Sequence, residues 1–273
     1  MPEKPEVMTV VKALSPRIKG KTITDCNVRW DNIIAKPESS TFSKKIVGEK
    51  IEDLDTRGKF IVIKLTNYIL LIHLRMEGKF TFRKAGEEFE KHEHVEFILD
   101  NELSWRYRDV RKFGKMYLLD KDNYLDVLPL CELGKEFYDD ELDGKYLYSK
   151  IHNKGLPIKT VLLDQSIIAG IGNIYDDEIL FLSKIKPMRK SSTITHKECD
   201  NICFYTKKVL REAERLGGTT IRSFTSEEGV HGLFQNKLLV HGKGGSKCPV
   251  CGNILVKTKI GGRGTHYCDK CQK

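Results

Sequence analysis

The chain has 273 residues, 40% of them apolar, and its 47 lysines and arginines outnumber 38 acids for a formal charge of +9. That length suits two domains with cores of their own, and no run of about 18 apolar residues is present to span a bilayer. The opening MPEKPEV lacks a basic segment followed by an apolar one, which argues against a secretory leader and for a cytoplasmic protein.

In chain order, Val7, Val10, Val11 and Leu14 form the i, i+3, i+4, i+7 stripe of a helix over Pro5–Ile18. From Ile23 to about Leu119 the pattern changes to short runs of Ile, Val, Leu and Phe: Phe60–Leu65, Tyr68–Leu74, Val95–Leu99 and Met116–Leu119. Turn signals such as Ala85-Gly86 and Asp100-Asn101 separate them, so antiparallel sheets packed as a sandwich with flanking helices are expected over 1–130. Glu87, Glu88 and Glu90 read as a solvated loop. Residues 131–150 are charged and mixed, an interdomain linker with some helix. From Ile151 helical patterns dominate: one helix with Leu162, Leu163 and Ile167, another over Ile174–Phe181, and a third over Thr195–Leu216 stopped by Gly217-Gly218. A loop (Ser223–Gln235) and a short strand (Leu238–Val240) close a second domain, 151–240, before a terminal module at 241–273. The fold class is α+β.

That module carries seven lysines and arginines against the single Asp269. A positive patch so concentrated favours a polyanion, because counterion release from phosphates drives binding. Cys248-Pro-Val-Cys251 and Cys268-Asp-Lys-Cys271 are two C-x-x-C pairs enclosing 16 residues. Without a secretory signal, metal is the better reading than disulfides, and four thiolates at this spacing suit one tetrahedral zinc in a β-hairpin ribbon. With all four positions filled the zinc has a structural role. His266 is expected to point away from it. The scattered Cys26, Cys131, Cys199 and Cys203 read as ordinary thiols. Between the pairs, Arg263 sits in a glycine-rich turn where it would fork onto phosphate.

Leu162–Tyr175 reads as a helix, a tight glycine turn (Gly170, Gly172) and a new helix with Asn173 as its N-cap. A helix N-terminus reached through glycines offers N–H groups to an anion. Asp176, Asp177 and Glu178 suit the helix dipole. At the chain start, removal of Met1 before a residue such as Pro2 leaves a secondary amine. An α-amino group titrates near about 8, so part of it is neutral and able to attack a sugar C1′, with Glu3 beside it to carry protons.

Six motifs in register decide what these features mean together: MPEKPEV, Arg57-Gly-Lys59-Phe, His73-Leu-Arg-Met76-Glu-Gly, Asp109-Val-Arg111-Lys-Phe113-Gly, the Leu162–Tyr175 segment, and Arg263-Gly-Thr-His-Tyr-Cys268 with Cys271-Gln-Lys273. Over nearly the whole chain this resembles the Fpg/Nei family of DNA glycosylases, and its formamidopyrimidine-DNA glycosylase branch more than endonuclease VIII. The resemblance implies a β-sandwich, then a helix-two-turn-helix domain ending in the zinc ribbon. It implies a monomeric base-excision-repair enzyme of the bacterial cytoplasm or nucleoid, bound to double-stranded DNA carrying a damaged base or abasic site. It further implies removal of oxidised purines through a Schiff base to Pro2, then β,δ-elimination. Glu3 would be the general acid/base, Glu6 would hold the sugar, and Lys59 would contact phosphate beside the lesion. Met76, Arg111 and Phe113 would fill the gap left by the flipped nucleotide, with Arg111 facing the orphaned base, and His73 belongs to the same DNA-binding set. Asn173 and Arg263 would clamp flanking phosphates, and the Ser223–Gln235 loop would cover the extruded base. Wedges of this kind offset the few kcal/mol that unstacking costs.

Four departures stand out. Lys4 replaces a usual apolar residue, Met8 a common Glu and His241 a Tyr, while Leu133-Gly-Lys-Glu136 replaces a Gly-Pro-Glu-Pro stretch. Two rival readings are an endonuclease VIII-like enzyme for oxidised pyrimidines and a non-catalytic zinc-finger DNA-binding protein. Pro2, Glu3 and Glu6 together argue against the latter.

Overall fold

The computed structural model describes residues 1–219 and 232–273. The chain forms two compact units: Met1–Cys131 with Thr219–Gly232, and Glu132–Gly218 with Leu233–Lys273.

The first unit opens with helix α1 (Lys4–Ile18), which buries Val7, Val10, Leu14 and Ile18. Next come β1 (Ile23–Val28), β2 (Ile34–Lys36), α2 (Ser39–Ile46), β3 (Ile51–Arg57), β4 (Phe60–Leu65), β5 (Tyr68–His73), β6 (Lys79–Lys84), β7 (Glu93–Leu99), β8 (Leu103–Arg108) and β9 (Lys115–Asp120). They make two sheets, ordered β1-β7-β8-β6 and β2-β9-β5-β4-β3. All pairs are antiparallel except β2 with β9, which run parallel from Ile34 opposite Met116. One core joins the sheets, with Ile23, Phe97 and Trp105 from the first, Ile61, Ile63, Leu70 and Ile72 from the second, and the apolar stripe of α1. In β4 and β5 both faces are buried, so they read as continuous apolar runs rather than alternations. The strand region expected from Ile23 to Leu119 is interrupted by α2. Its Phe42 and Ile46 lie one turn apart and are fully buried, a two-residue signal too short to separate from a strand.

The second unit contains α3 (Gly144–Ile151), α4 (Ile158–Leu162), α5 (Asn173–Leu182), α6 (His196–Arg215) and the hairpin β10 (Val256–Ile260) and β11 (Arg263–Tyr267). Thr195 caps α6 with a capping box to Glu198. The helix expected to include Leu163 and Ile167 ends at Leu162. Ile167 instead lies in the connection to α5, where its carbonyl accepts from the Tyr146 hydroxyl at 2.8 Å. Leu238–Val240 is not a strand. The N–H groups of Leu239, Val240 and His241 donate to the buried carboxylate of Glu178 at 2.8–2.9 Å, so a side chain takes the place of a neighbouring strand. The expected covering loop Ser223–Gln235 lies outside the described residues through residue 231.

Candidate functional site

In the first unit the chain start is drawn inward. Pro2, Glu3, Lys4, Pro5 and Glu6 are all buried. Glu3 is the N-cap of α1, and Glu6 closes the capping box with Oε2 accepting from Glu3 N at 2.9 Å. The other oxygen of Glu6, Oε1, accepts from Thr219 N at 2.7 Å and its hydroxyl at 3.1 Å, a contact across 213 residues. With both oxygens engaged, the Glu6 carboxylate is fixed in place. The α-amino group of Met1 is held below its ordinary pKa of 8.0. Burial is the main cause, Lys59 and Arg111 add to it, and Glu3 and Glu6 oppose it. Charges from three chain segments, Glu3 and Glu6, Lys59 and Arg111, thus lie close enough to act on the terminus. Lys4, flagged as a departure, is fully buried and donates through Nζ to Thr56 Oγ1 at 2.7 Å and to Thr56 O at 3.1 Å. A lysine can sit there because hydrogen bonds replace its lost hydration.

Three turns in the same unit carry the remaining residues. Lys59 lies in the two-residue connection of β3 and β4, where Gly58 takes φ +55°. Met76 is half-buried in the turn after β5, which closes with Gly78 N donating to Leu74 O at 3.0 Å. His73, expected among the DNA contacts, is buried, and its Nδ1 accepts from Arg75 N at 3.0 Å. Burial, with Arg75 and Lys59 nearby, pushes its pKa down to about 3, so the ring is neutral and supports the Met76 turn. Arg111 and Phe113 stand exposed in the loop after β8, the guanidinium 4.7 Å from the ring centroid. Phe113 is thus not a core residue.

Sequence reasoning passed over what holds that loop. Asp109 is 1% exposed; its Oδ1 accepts from Arg111 N at 3.0 Å, and its Oδ2 from Phe113 N at 2.9 Å and Gly114 N at 2.8 Å. One carboxylate thus fixes the backbone on which both exposed side chains stand. The available signal was an acid just ahead of a turn, where short polar side chains accept from following N–H groups.

In the second unit Asn173 is the first residue of α5, and Gly172, not Asn173, is the N-cap. The Asn173 side chain points elsewhere: Nδ2 donates to Gly264 O at 2.9 Å, which joins the helix start to the hairpin bearing exposed Arg263. The approach to α5 is pinned by Gln165, whose amide donates to Leu163 O and Ile171 O and accepts from Gly170 N, all at 2.9 Å. Asp176, Asp177 and Glu178, read from sequence as helix-dipole partners, are all buried. Lys159 Nζ lies 2.6 Å from Asp177 Oδ1 and 3.2 Å from Asp176 Oδ2. Asp177 Oδ2 accepts from His241 Nδ1 at 2.7 Å and from His266 Nδ1 at 3.1 Å and N at 3.2 Å. Burial alone would raise the Asp177 pKa; the two histidines and Lys159 outweigh it and hold it below its usual range. Because a carboxylate only accepts, both rings carry their proton on Nδ1.

Among the described residues, two side-chain groups have the proximity of metal ligands: the four cysteines and the Asp177–His241–His266 set. Cys248 and Cys271 Sγ lie 3.8 Å apart, Cys251 and Cys268 3.5 Å. Zinc–thiolate bonds of about 2.3 Å imply tetrahedral edges of about 3.8 Å, so the thiols fit one structural zinc. The Asp177 set is more closely spaced than zinc ligands and has an ammonium on its carboxylate; it is a hydrogen-bonded network. His266 therefore serves Asp177 and not the zinc. Cys248 and Cys268 pack with Phe181, Val240 and Leu255 in a small core, and Gln272 ties the chain end back through Ile185 O.

Three family models match the chain: formamidopyrimidine-DNA glycosylase N-terminal domain at residues 1–116, formamidopyrimidine-DNA glycosylase H2TH domain at 133–225, and the zinc finger found in FPG and IleRS at 245–273. Formamidopyrimidine-DNA glycosylase of Bacillus anthracis is 44% identical over 273 residues, covering 100% of this chain and 99% of the relative. That of Bacillus subtilis (strain 168) is 42% identical with the same coverage. The solved complex of Lactococcus lactis Fpg with abasic-site DNA superposes with a TM-score of 0.92 at 33% identity, covering 99% of both chains. MutM bound to carbocyclic 8-oxo-G DNA gives 0.92 at 34% identity over 100% of both.

Proposed function

The chain belongs to the formamidopyrimidine-DNA glycosylase family, and from that membership we propose that it excises oxidised purines, 8-oxoguanine and formamidopyrimidines, from duplex DNA with Pro2 as nucleophile. The observation that carries this reading is the setting of the chain start. Burial holds the Met1 amine toward its neutral form, and Glu3, Glu6, Lys59 and Arg111 all act on it electrostatically. Removal of Met1 transfers the amine to Pro2, one residue further into the same buried segment.

The neutral Pro2 nitrogen attacks C1′ as the bond to the damaged base breaks, and the base leaves with a proton. The sugar ring opens to an iminium joined to Pro2, with O4′ protonated to a hydroxyl. Glu3, seated beside the amine at the helix start, carries the proton. Glu6 cannot swing freely, since both its oxygens are engaged, and it orients the sugar. The iminium acidifies C2′–H; its loss expels the 3′ phosphate, a second elimination expels the 5′ phosphate, and water releases the amine. Lys59 neutralises phosphate beside the lesion. Met76 and Phe113 occupy the vacated stack, and Arg111 donates to the acceptor edge of the opposite cytosine. Asn173 and Arg263, linked through Gly264, hold phosphate from the second unit. Zinc stabilises the hairpin that carries Arg263 and takes no part in the chemistry. An enzyme that repairs chromosomal DNA works in the bacterial nucleoid.

Borohydride reduction during turnover of an 8-oxoguanine:cytosine duplex tests the assignment. A single protein–DNA adduct mapping to Pro2 is expected. An adduct on a lysine, or full activity in protein that retains Met1, would reject it.

A further inference from the structure

The Met76 turn and the Arg111–Phe113 loop cross between the same two sheets, from β5 to β6 and from β8 to β9, and the proposed wedge needs them at a set spacing. Each ends on a glycine, Gly78 and Gly114. A Cβ on Gly78 would fall 2.2 Å from the Tyr107 hydroxyl, and one on Gly114 would fall 1.8 Å from it. Neither glycine has a positive φ, so close approach and not backbone conformation calls for glycine: at Gly114 it is the approach of Tyr107, and at Gly78 that of Tyr107 together with Leu74 O, 2.6 Å from the same Cβ. Tyr107 is fully buried on β8, its ring edge-on to Phe80 at 5.6 Å, and its hydroxyl lies 3.4 Å from Asp109 Oδ2. Asp109 Oδ2 also takes the N–H groups of Phe113 and Gly114. The hydroxyl therefore touches the closing residue of both turns and the carboxylate that shapes one of them.

We propose that Tyr107 is a positioning residue for opposite-base recognition: its hydroxyl is the common stop that sets the separation of the Met76 turn from the Arg111–Phe113 loop. Without the oxygen, a gap opens between Gly78 and Gly114 and either turn can drift into it. A packed slot loses contacts steeply with a displacement of about 1 Å. Arg111 would then present its donors to the opposite base less accurately, while Glu3 and Glu6, held by their own hydrogen bonds, keep their places at the chain start. This rests on the wedge roles proposed for Met76, Arg111 and Phe113.

The test is Tyr107→Phe, which keeps the ring and removes one atom. Excision of 8-oxoguanine opposite cytosine is compared with excision opposite adenine, as a ratio of kcat/KM values. Borohydride trapping on abasic DNA is run beside it. Tyr107→Phe should lower the ratio by about 3- to 10-fold, the effect of one hydrogen-bonded contact, with trapping within about 2-fold of the parent. Phe97→Leu, which loosens packing against Trp105 instead, should lower the melting temperature and leave the ratio in place. Arg111→Ala separates the failures. If it abolishes the preference while Tyr107→Phe leaves it untouched, the inference fails alone; if Arg111→Ala also leaves it untouched, the wedge reading fails with it. Should Tyr107→Phe not fold, Gly114→Ala takes over. Its methyl must displace the hydroxyl, so the ratio should fall. An unchanged ratio in Gly114→Ala overturns the proposal.

Discussion

Replacing Lys159 by methionine should destabilise the second unit by about 3–5 kcal/mol, as happens when one partner of a buried ion pair is removed. Methionine keeps the unbranched stem and removes the charge. Lys159, Asp176 and Asp177 are all fully enclosed, and Lys159 Nζ stands 2.6 Å and 3.2 Å from the two carboxylates. Burial pulls the Lys159 pKa down, but the two acids more than offset it and the net shift is upward. Its stabilising contribution is therefore complete below the ordinary value of 10.5 and is lost only above that. Asp177, with its pKa held down, contributes fully above its ordinary 3.8 and loses that contribution as pH falls through the lowered value. In Lys159→Met the acids lose their cation, and the Asp177 pKa, which Lys159 helps to hold down, rises. The penalty should then be larger at pH 7 than at pH 5, where protonation relieves the stranded charge. Urea unfolding at both pH values measures it, with the slope checked for constancy. Adding Asp176→Asn and Asp177→Asn should recover much of the loss, because the sites share one network. Asp177 also holds His266 on β11, so Lys159→Met should release zinc faster to a chelating dye. A penalty under about 1 kcal/mol, the range of exposed pairs, or one indifferent to neutralising the acids, would refute this account.

Other consequences are open to direct measurement. Pro2→Gly should lose base excision and keep duplex binding, and in the parent the rate of adduct formation should rise with pH, because only the neutral amine attacks. A rate that falls with rising pH would contradict a neutral amine as nucleophile. Cys248→Ser, or a strong chelator, should remove zinc, loosen the hairpin of Arg263 and weaken DNA binding; a variant with full metal content would refute the four-thiol site. His73 has its pKa depressed to about 3 in the fold, so stability is intact above 6.5 and declines as pH falls from 6.5 toward 3. One and a half pH units below 6.5 correspond to about 2 kcal/mol, and His73→Gln should abolish that slope between pH 7 and 5.

Much of this protein was legible in its residues one by one. The cysteine spacing announces a zinc ribbon because chelation geometry is local, and the apolar stripe of α1 announces a helix because 3.6-residue periodicity is local. Six motifs in register carried the family. What stayed hidden depends on contacts between distant positions. Glu6 is fixed by Thr219, Asp177 gathers Lys159, His241 and His266, and Glu178 replaces a strand for residues 239–241. In sequence, the three acids of α5 read as helix-dipole partners, and nothing in their spacing says that they are shut away from water. Burial decided otherwise, since a polar group removed from water must find partners wherever the fold supplies them. Tyr107 shows the same division. Its aromatic ring suits any strand, but only the packing of two turns against one oxygen gives that oxygen a task. Local chemistry wrote the reaction into the chain, while the tertiary fold alone set the distances at which its groups meet.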